Sequence, residues 1–480
     1  MKMRNTINIV LLLTLLVSAA SCKKWLDVSP QTQVRERILF ESEQGFKEAL
    51  TGVYIYLGNA SVYGQNLTMG MLDVMAQRYA TTATSHTFYR DGRYEYNDAN
   101  VKGRIAAIWN GMYTAVSNLN NILLQVDEKQ ALFTGNNYKL VKGEALALRG
   151  LIHFDLVRLF GVAPIVDGNL KSIPYPTTFG VSVYPLLTVN QVLDSCMKDL
   201  AEAEPLLSVD KTVRKDYATD PFLSYTRNRM NYWAVKGLQA RLWLYRGDKP
   251  KALAAAQDVI NNGTASFSWV TSTEAARADS RDRLYANEHL FSLSAFKIND
   301  YVNAYFKTTT LNGTPLLYTT TANINTLFET TSGGSSDFRY VYLFSSNTYP
   351  SGISTSKYWQ DFIAQNVGFE YLRNLIPMIR LSEVYYIAAE CSPVTADGVA
   401  YLNTVRSNRG LAALSTGITD VVLQTELLKE YKKETYAEGQ LFFHFKRRNT
   451  ARVDGSNINM NDATWAFPLP EDEIEFANRF

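Results

Sequence analysis

Histidine and cysteine are scarce in this chain, with four histidines and three cysteines among 480 residues. His86, His153, His289 and His444 are scattered, as are Cys22, Cys196 and Cys391, which leaves no zinc framework and no disulfide scaffold. Charge of one sign is also lacking. The formal excess of +2 is accounted for by Lys2 and Arg4, so the chain beyond them is balanced. With no basic tail either, the composition excludes phosphate-driven binding of nucleic acid. After the first apolar run, Ile7 to Val17, no stretch of membrane-spanning length follows. Catalytic signatures are missing as well: there is no Gly-x-Ser-x-Gly elbow, no His-Glu-x-x-His helix, and no phosphate or dinucleotide loop. The expectation is a protein without a metal or cofactor, whose histidines are structural.

Apolar residues are plentiful, at 46% of the chain, while charged residues make up only 20%, so the chain is not disordered. It is long enough to bury a substantial core. Its N-terminus has a three-part secretory layout over residues 1–21, with Lys2 and Arg4, the apolar run, and then Ser18, Ala19, Ala20 and Ser21 before Cys22. A cysteine after small residues resembles a bacterial lipobox, in which Cys22 would carry the lipid anchor. Ordinary cleavage near Ala20 is the alternative. Cys196 and Cys391 fall in apolar helical patterns and read as two buried free thiols.

Helical periodicity recurs in pairs. Tyr232, Trp233, Val235, Leu238, Ala240, Leu242 and Leu244 lead to Gly247 and Asp248, followed by Ala252, Leu253, Ala256, Val259 and Ile260. Gly247 suits a left-handed cap, Asp248 an N-cap and Pro250 a first turn. Small Ala234, Ala240 and Ala252 would let the two helices approach closely, as in a tetratricopeptide unit. Similar patterns lie at 138–160 with 188–207, at 376–391 with 396–409, and at 424–446. Such units need stacked neighbours, so the fold expected is mainly α, with about four tetratricopeptide-like helix pairs in one layer. A generic helical bundle has the same periodicity. Glu144, Glu383 and Glu390 read as partners of arginines within the repeats.

Two stretches, 61–104 and 264–372, interrupt the pattern with Thr, Ser, Asn, Gly and aromatic residues. They read as long irregular insertions in a single body over 22–480, divided near residue 372 into an N-terminal part and a C-terminal part. Insertions on a repeat scaffold are where binding is expected. The chain is rich in aromatics, with 29 Tyr, 23 Phe and 7 Trp. Tyr79, Phe88, Tyr89, Tyr94 and Tyr96 lie among Arg78, Arg90, Asp91, Arg93 and Asn97. A second group comprises Trp269, Tyr301, Tyr305, Phe306, Tyr318, Tyr349, Tyr358 and Trp359. A planar ring beside hydrogen-bonding side chains suits the apolar face and hydroxyl rim of a sugar, and suits a peptide too. The competing reading is that these rings bind the loops to the scaffold.

The order and spacing of several fragments resemble the SusD/RagB family of nutrient-uptake lipoproteins. They are Trp25, Leu26, Asp27 and Pro30; Trp109, Tyr113 and Asn120; Glu144, Ala145, Leu148, Arg149, Phe154, Val157, Arg158, Gly161 and Pro164. Further on come Ile379, Arg380, Glu383, Ala388, Ala389 and Glu390, then Leu402, Asn403, Val405 and Arg406, then Glu438, Gly439, Lys446 and Arg447, and finally Phe467, Pro468, Leu469, Pro470, Glu473 and Ile474. Gln440 and Phe443 to Phe445 depart from the family pattern, which marks a divergent branch; Lys23 and Lys24 stand where acidic residues often accompany surface export, so that a cell-surface position is expected with inward-facing residence as the alternative. The resemblance implies an outer-membrane lipoprotein that captures a glycan or peptide and hands it to a TonB-dependent transporter, and the leading expectation is a non-catalytic, lipid-anchored receptor. A tetratricopeptide scaffold for a protein partner and a glycoside hydrolase are the alternatives.

Overall fold

The computed structural model describes residues 38–278, 280–307, 316–347, 352–360 and 370–476. Cys22, Trp25, Leu26, Asp27, Pro30 and Tyr349 lie outside them. Ser42 opens the first helix, α1 (Glu43–Leu57), its hydroxyl accepting from the Gly45 amide at 3.1 Å. After a long excursion the chain forms α2 (Ala99–Val126), which packs back on α1. Then come α3 (Asn137–Phe160) and α4 (Val189–Leu207), which pack side by side. A complete capping box, Thr188 with Gln191, starts α4. Helix α3 is buried around almost its whole circumference, because α2 and α4 both lie against it.

The pair α5 (Tyr232–Arg246) and α6 (Lys249–Asn262) has the punctuation expected from sequence. Gly247 takes φ +91, Asp248 accepts from the Lys251 amide, and Pro250 sits in the first turn. Ala234, Ala240 and Ala252 are completely buried where the helices meet. Gly237 faces the sheet, where an added Cβ would come within 2.8 Å of Leu290 and 2.9 Å of Ile379.

Between α6 and the next pair the chain forms β1 (His289–Ser294), α7 (Thr321–Phe328), the hairpin strands β2 (Phe344–Asn347) and β3 (Gly352–Thr355), and β4 (Leu375–Arg380). Strands β1 and β4 pair antiparallel, with His289 opposite Arg380. This corrects the sequence expectation of a helix from residue 376. Pro377 removes a donor that a helix interior needs, at a cost of about 3 kcal/mol. A two-stranded sheet has free edges that accommodate it. The helix proper is α8 (Leu381–Cys391), paired with α9 (Thr395–Ser407).

The final long helices are α10 (Asp420–Glu434) and α11 (Gln440–Arg447). They do not form the hairpin expected at 424–446. Helix α10 packs on α8 and α9, whereas α11 lies against a short helix at Met71–Met75. The four tetratricopeptide-like pairs are therefore α1/α2, α3/α4, α5/α6 and α8/α9. One contiguous core runs from Phe40 to Phe467 and takes in much of the first insertion, including Met69, Met71, Leu72 and Met75. Cys196 and Cys391 are both buried and free. Among the described residues no helix is long and apolar enough to cross a membrane.

Candidate functional site

The two insertions fold against each other. Tyr79 and Phe88 come from the first, and their rings lie 6.1 Å from Phe306 and 5.8 Å from Tyr305 of the second. The backbones join where the Ala80 amide donates to the Tyr318 carbonyl at 2.7 Å, and His86 Nε2 lies 3.3 Å from the Leu316 carbonyl. Sequence reasoning grouped these residues as two clusters, and the structure makes them one layer.

Burial then divides the expected ligand residues. Phe88 is 1% exposed, Tyr79 7%, Tyr94 8% and Tyr305 8%, so none of the four offers an open ring face. Tyr94 donates its hydroxyl to the Met75 carbonyl at 2.6 Å, and Tyr79 reaches Asp73 at 3.3 Å. These rings hold the layer to the core, and in this placement the packing role competes with the binding role assigned from sequence. Tyr96 is partly buried and donates to the Thr464 carbonyl, with its ring against Phe467. Trp269 packs edge-on to Tyr385 of α8 at 5.2 Å, where it belongs to the helical layer and not to the loop cluster.

Besides Tyr96 and Trp269, three expected residues are partly open: Tyr89, Tyr301 and Trp359. The Arg93 guanidinium lies 3.8 Å from the Tyr89 ring centroid, with Arg90 at 5.3 Å. Lys307 sits 5.0 Å from the Trp359 ring and Arg283 5.8 Å. Trp359 Nε1 is buried and meets no hydrogen-bond acceptor among the described residues. Rings flanked by cations and amides can stack on a sugar face while the charged groups bind its hydroxyls.

Beside this layer opens a cavity of about 520 Å³ that no sequence argument singled out. It lies between Gln77 and Arg78, helix α7, and the facing sides of α10 and α11. Its signal in the sequence was only Arg78, which stood as a polar neighbour of Tyr79. The chain reaches the cavity through a left-handed residue, Gln77 at φ +57, whose side chain donates to the Gly92 carbonyl at 2.8 Å. Asp73, just before it, accepts from the amides of Ala437 and Gly439. Burial raises the Asp73 carboxyl to about 6 despite the charge of Arg78 and those amide bonds.

The remaining titratable groups are structural in their contacts. Glu144 pairs with Arg229 at 2.7 Å, Glu383 with Arg241 at 2.6 Å and Glu390 with Arg447 at 2.7 Å; each meets an arginine as expected, but only Arg241 lies within a repeat helix. His153 stacks on Tyr175 at 3.8 Å, and burial pushes its pKa down to about 3. His444 lies against Tyr431 at 4.3 Å and is pushed down to about 3 in the same way. His289 is enclosed by Ser292 and the Leu284 carbonyl. Among the described residues no group of His, Cys, Asp or Glu is arranged to hold a metal ion.

Four helical pairs carrying a folded layer of insertions define a tetratricopeptide-like scaffold protein with a loop-built surface. Family comparisons narrow the class. Residues 24–243 match a family model described as "Starch-binding associating with outer membrane", and residues 301–475 match the SusD family model. The chain belongs to the SusD/RagB family. It is similar to SusD-like protein P2 of Formosa agariphila, with 24% identity over 92% of this chain and 88% of the relative. SusD-like protein P25 of the same organism is 26% identical over 54% of this chain, a match spanning about half (47%) of that relative. Among solved structures, a SusD superfamily protein from Bacteroides thetaiotaomicron superposes with a TM-score of 0.74 at 23% identity, over 91% of this chain and 98% of the other. A SusD-like carbohydrate binding protein from Bacteroides vulgatus gives 0.71 at 19%, over 91% and 97%.

Proposed function

We propose that this chain is a non-catalytic glycan receptor, anchored to the outer membrane through lipid on Cys22, that delivers its ligand to a TonB-dependent transporter. The observation that carries the reading is family membership over both halves of the chain, together with the family description as starch-binding and associated with the outer membrane. The carbohydrate-binding description of a structural neighbour supports the same ligand class. The insertion layer fits this work: Tyr89 and Trp359 keep part of their rings open beside Arg90, Arg93, Lys307 and Arg283. Such a surface binds a ligand and needs no general acid or nucleophile.

Calorimetry of the purified protein against oligosaccharides, followed by chromatography of the recovered sugar, tests the reading. Saturable binding with unchanged sugar is expected, and cleavage of the sugar would refute it. Cys22→Ala should release the protein from membranes, and protease treatment of intact cells reads which face it occupies. Tyr89→Ala and Trp359→Ala should each weaken binding by about thirtyfold if they are central contacts.

A further inference from the structure

The cavity beside Arg78 is lined by a guanidinium that no carboxylate bonds among the described residues. Three cations reach its wall: Arg78, Lys429 and Lys432. Lys429 is neutralised by Glu329 at 2.8 Å and Glu426 at 2.7 Å, and Lys432 by Asp454. Among the described residues Arg78 has only a backbone acceptor, the Lys432 carbonyl, and its guanidinium lies 4.5 Å from the centre of the Tyr436 ring. Its Nε is buried and meets no hydrogen-bond acceptor among the described residues. The carboxylate of Asp73 is already occupied by the Ala437 and Gly439 amides and the Tyr79 hydroxyl. A guanidinium presents its donors as a planar fork that matches a carboxylate or a sulfate. Around it the wall offers Gln77, Asn323 and Thr326 for hydrogen bonds and Leu327 and Phe445 for apolar contact.

We propose that this cavity binds a glycan bearing an oxyanion, a uronate carboxylate or a sulfate ester, with Arg78 as the counter-charge. The proposal rests on the glycan-receptor reading and adds the chemical class of the sugar. A neutral sugar would fill the hydrogen-bonding wall but leave the Arg78 charge without a partner. An acidic sugar meets both, and the volume accommodates a sugar ring rather than an ion alone.

The test is calorimetry of the whole protein with oligogalacturonate, a sulfated galactan oligosaccharide, and neutral malto- and cello-oligosaccharides of equal length, each at low and high salt. At least one acidic probe should bind more tightly than the neutral ones, with affinity falling as salt rises. Which acidic probe binds distinguishes carboxylate from sulfate. Arg78→Gln should weaken acidic binding by about tenfold or more, because a charge-assisted hydrogen bond is lost. Since Arg78 packs on Tyr436, a second variant avoids any question of folding. Thr326 is exposed on α7, and Thr326→Glu should repel the acidic probe while leaving the melting temperature unchanged. Acidic binding that is insensitive to both substitutions overturns the proposal. So does tighter binding of neutral than acidic sugars, which would leave the receptor reading standing. Failure of every saccharide to bind removes the receptor reading itself.

Discussion

Two sets of arginines in this protein live in opposite circumstances. Deep between the second insertion and α10, Arg339 binds Asp337 at 2.6 Å, Glu430 at 2.7 Å and Glu434 at 2.7 Å. Arg409 binds Glu288 at 2.8 Å and Glu434 at 2.7 Å, and Arg380 binds Glu434 and Glu438. Every one of these side chains is buried. Burial alone would raise the Glu434 carboxyl, but Arg409, Arg380 and Arg339 together hold it well below the ordinary carboxylate range. Arg78, in the first insertion, reaches the same helix α10 through the Lys432 carbonyl; it lines a cavity, and among the described residues no carboxylate bonds its guanidinium. Saturated arginines fasten the insertion to the repeats; the unsaturated one is available for something from outside.

The largest expected effect comes from breaking the saturated set. Glu434→Gln leaves three buried guanidinium groups short of an anion and should cost about 3 to 5 kcal/mol in denaturant unfolding. Arg78→Gln should change stability far less, and equal losses would erase the distinction between the two sets. Next, Phe88→Ala empties a filled site between the insertions and should cost about 3 to 5 kcal/mol. Its neighbour Tyr89→Ala should cost about 1 kcal/mol or less, because the lost contact is a partly open cation–π pair. Ala240→Leu overpacks the α5/α6 crossing and should lower stability by about 1 to 3 kcal/mol while leaving ligand affinity per folded molecule intact.

The smallest effect is on pH dependence. His153 and His444 fall from 6.5 in the unfolded chain to about 3 when folded. Their contribution is complete above 6.5 and is lost as pH falls below it, since the unfolded chain then takes up protons that the native state refuses. Asp73 and Asp282 act in the other direction. Burial raises both from 3.8 to about 6, so the native state holds protons that the unfolded chain releases between those values. The melting temperature should therefore decline as pH drops from 7 toward 6, with His289, which burial also pushes well below 6.5, adding to the fall. His444→Phe should flatten the first part of that curve.

Where the sequence carried explicit punctuation, the structure followed it. Gly247, Asp248 and Pro250 allow one reading only, and the α5/α6 turn has it. The segment 375–379 is continuously apolar, and such a run is compatible with a buried helix or a buried strand; its partner, His289–Ser294, is far away in sequence and decided the matter. The aromatic residues of the loops were ambiguous for another reason. Tyr94 and Tyr89 both sit among charged residues, yet one points at the Met75 carbonyl and the other lies beside Arg93 near the surface. That difference depends on the fold of the insertion, which has no periodicity to read. The cavity at Arg78 was hidden for the same cause, since its walls come from three distant parts of the chain.

The bonds from Asp73 to the amides of Ala437 and Gly439 tie an early residue to a very late one. A polypeptide emerging from its N-terminus can assemble α3/α4 and α5/α6 from local contacts, but the insertion that splits α1 from α2 must wait for the last fifth of the sequence. Until then Asp73 and the surrounding Met69, Met71, Leu72 and Met75 lack their cover. Contacts of such long range slow folding and leave apolar surface exposed during it. The first repeat to be made is thus among the last to be finished, and a truncation before residue 437 should leave the N-terminal part as the aggregation-prone element.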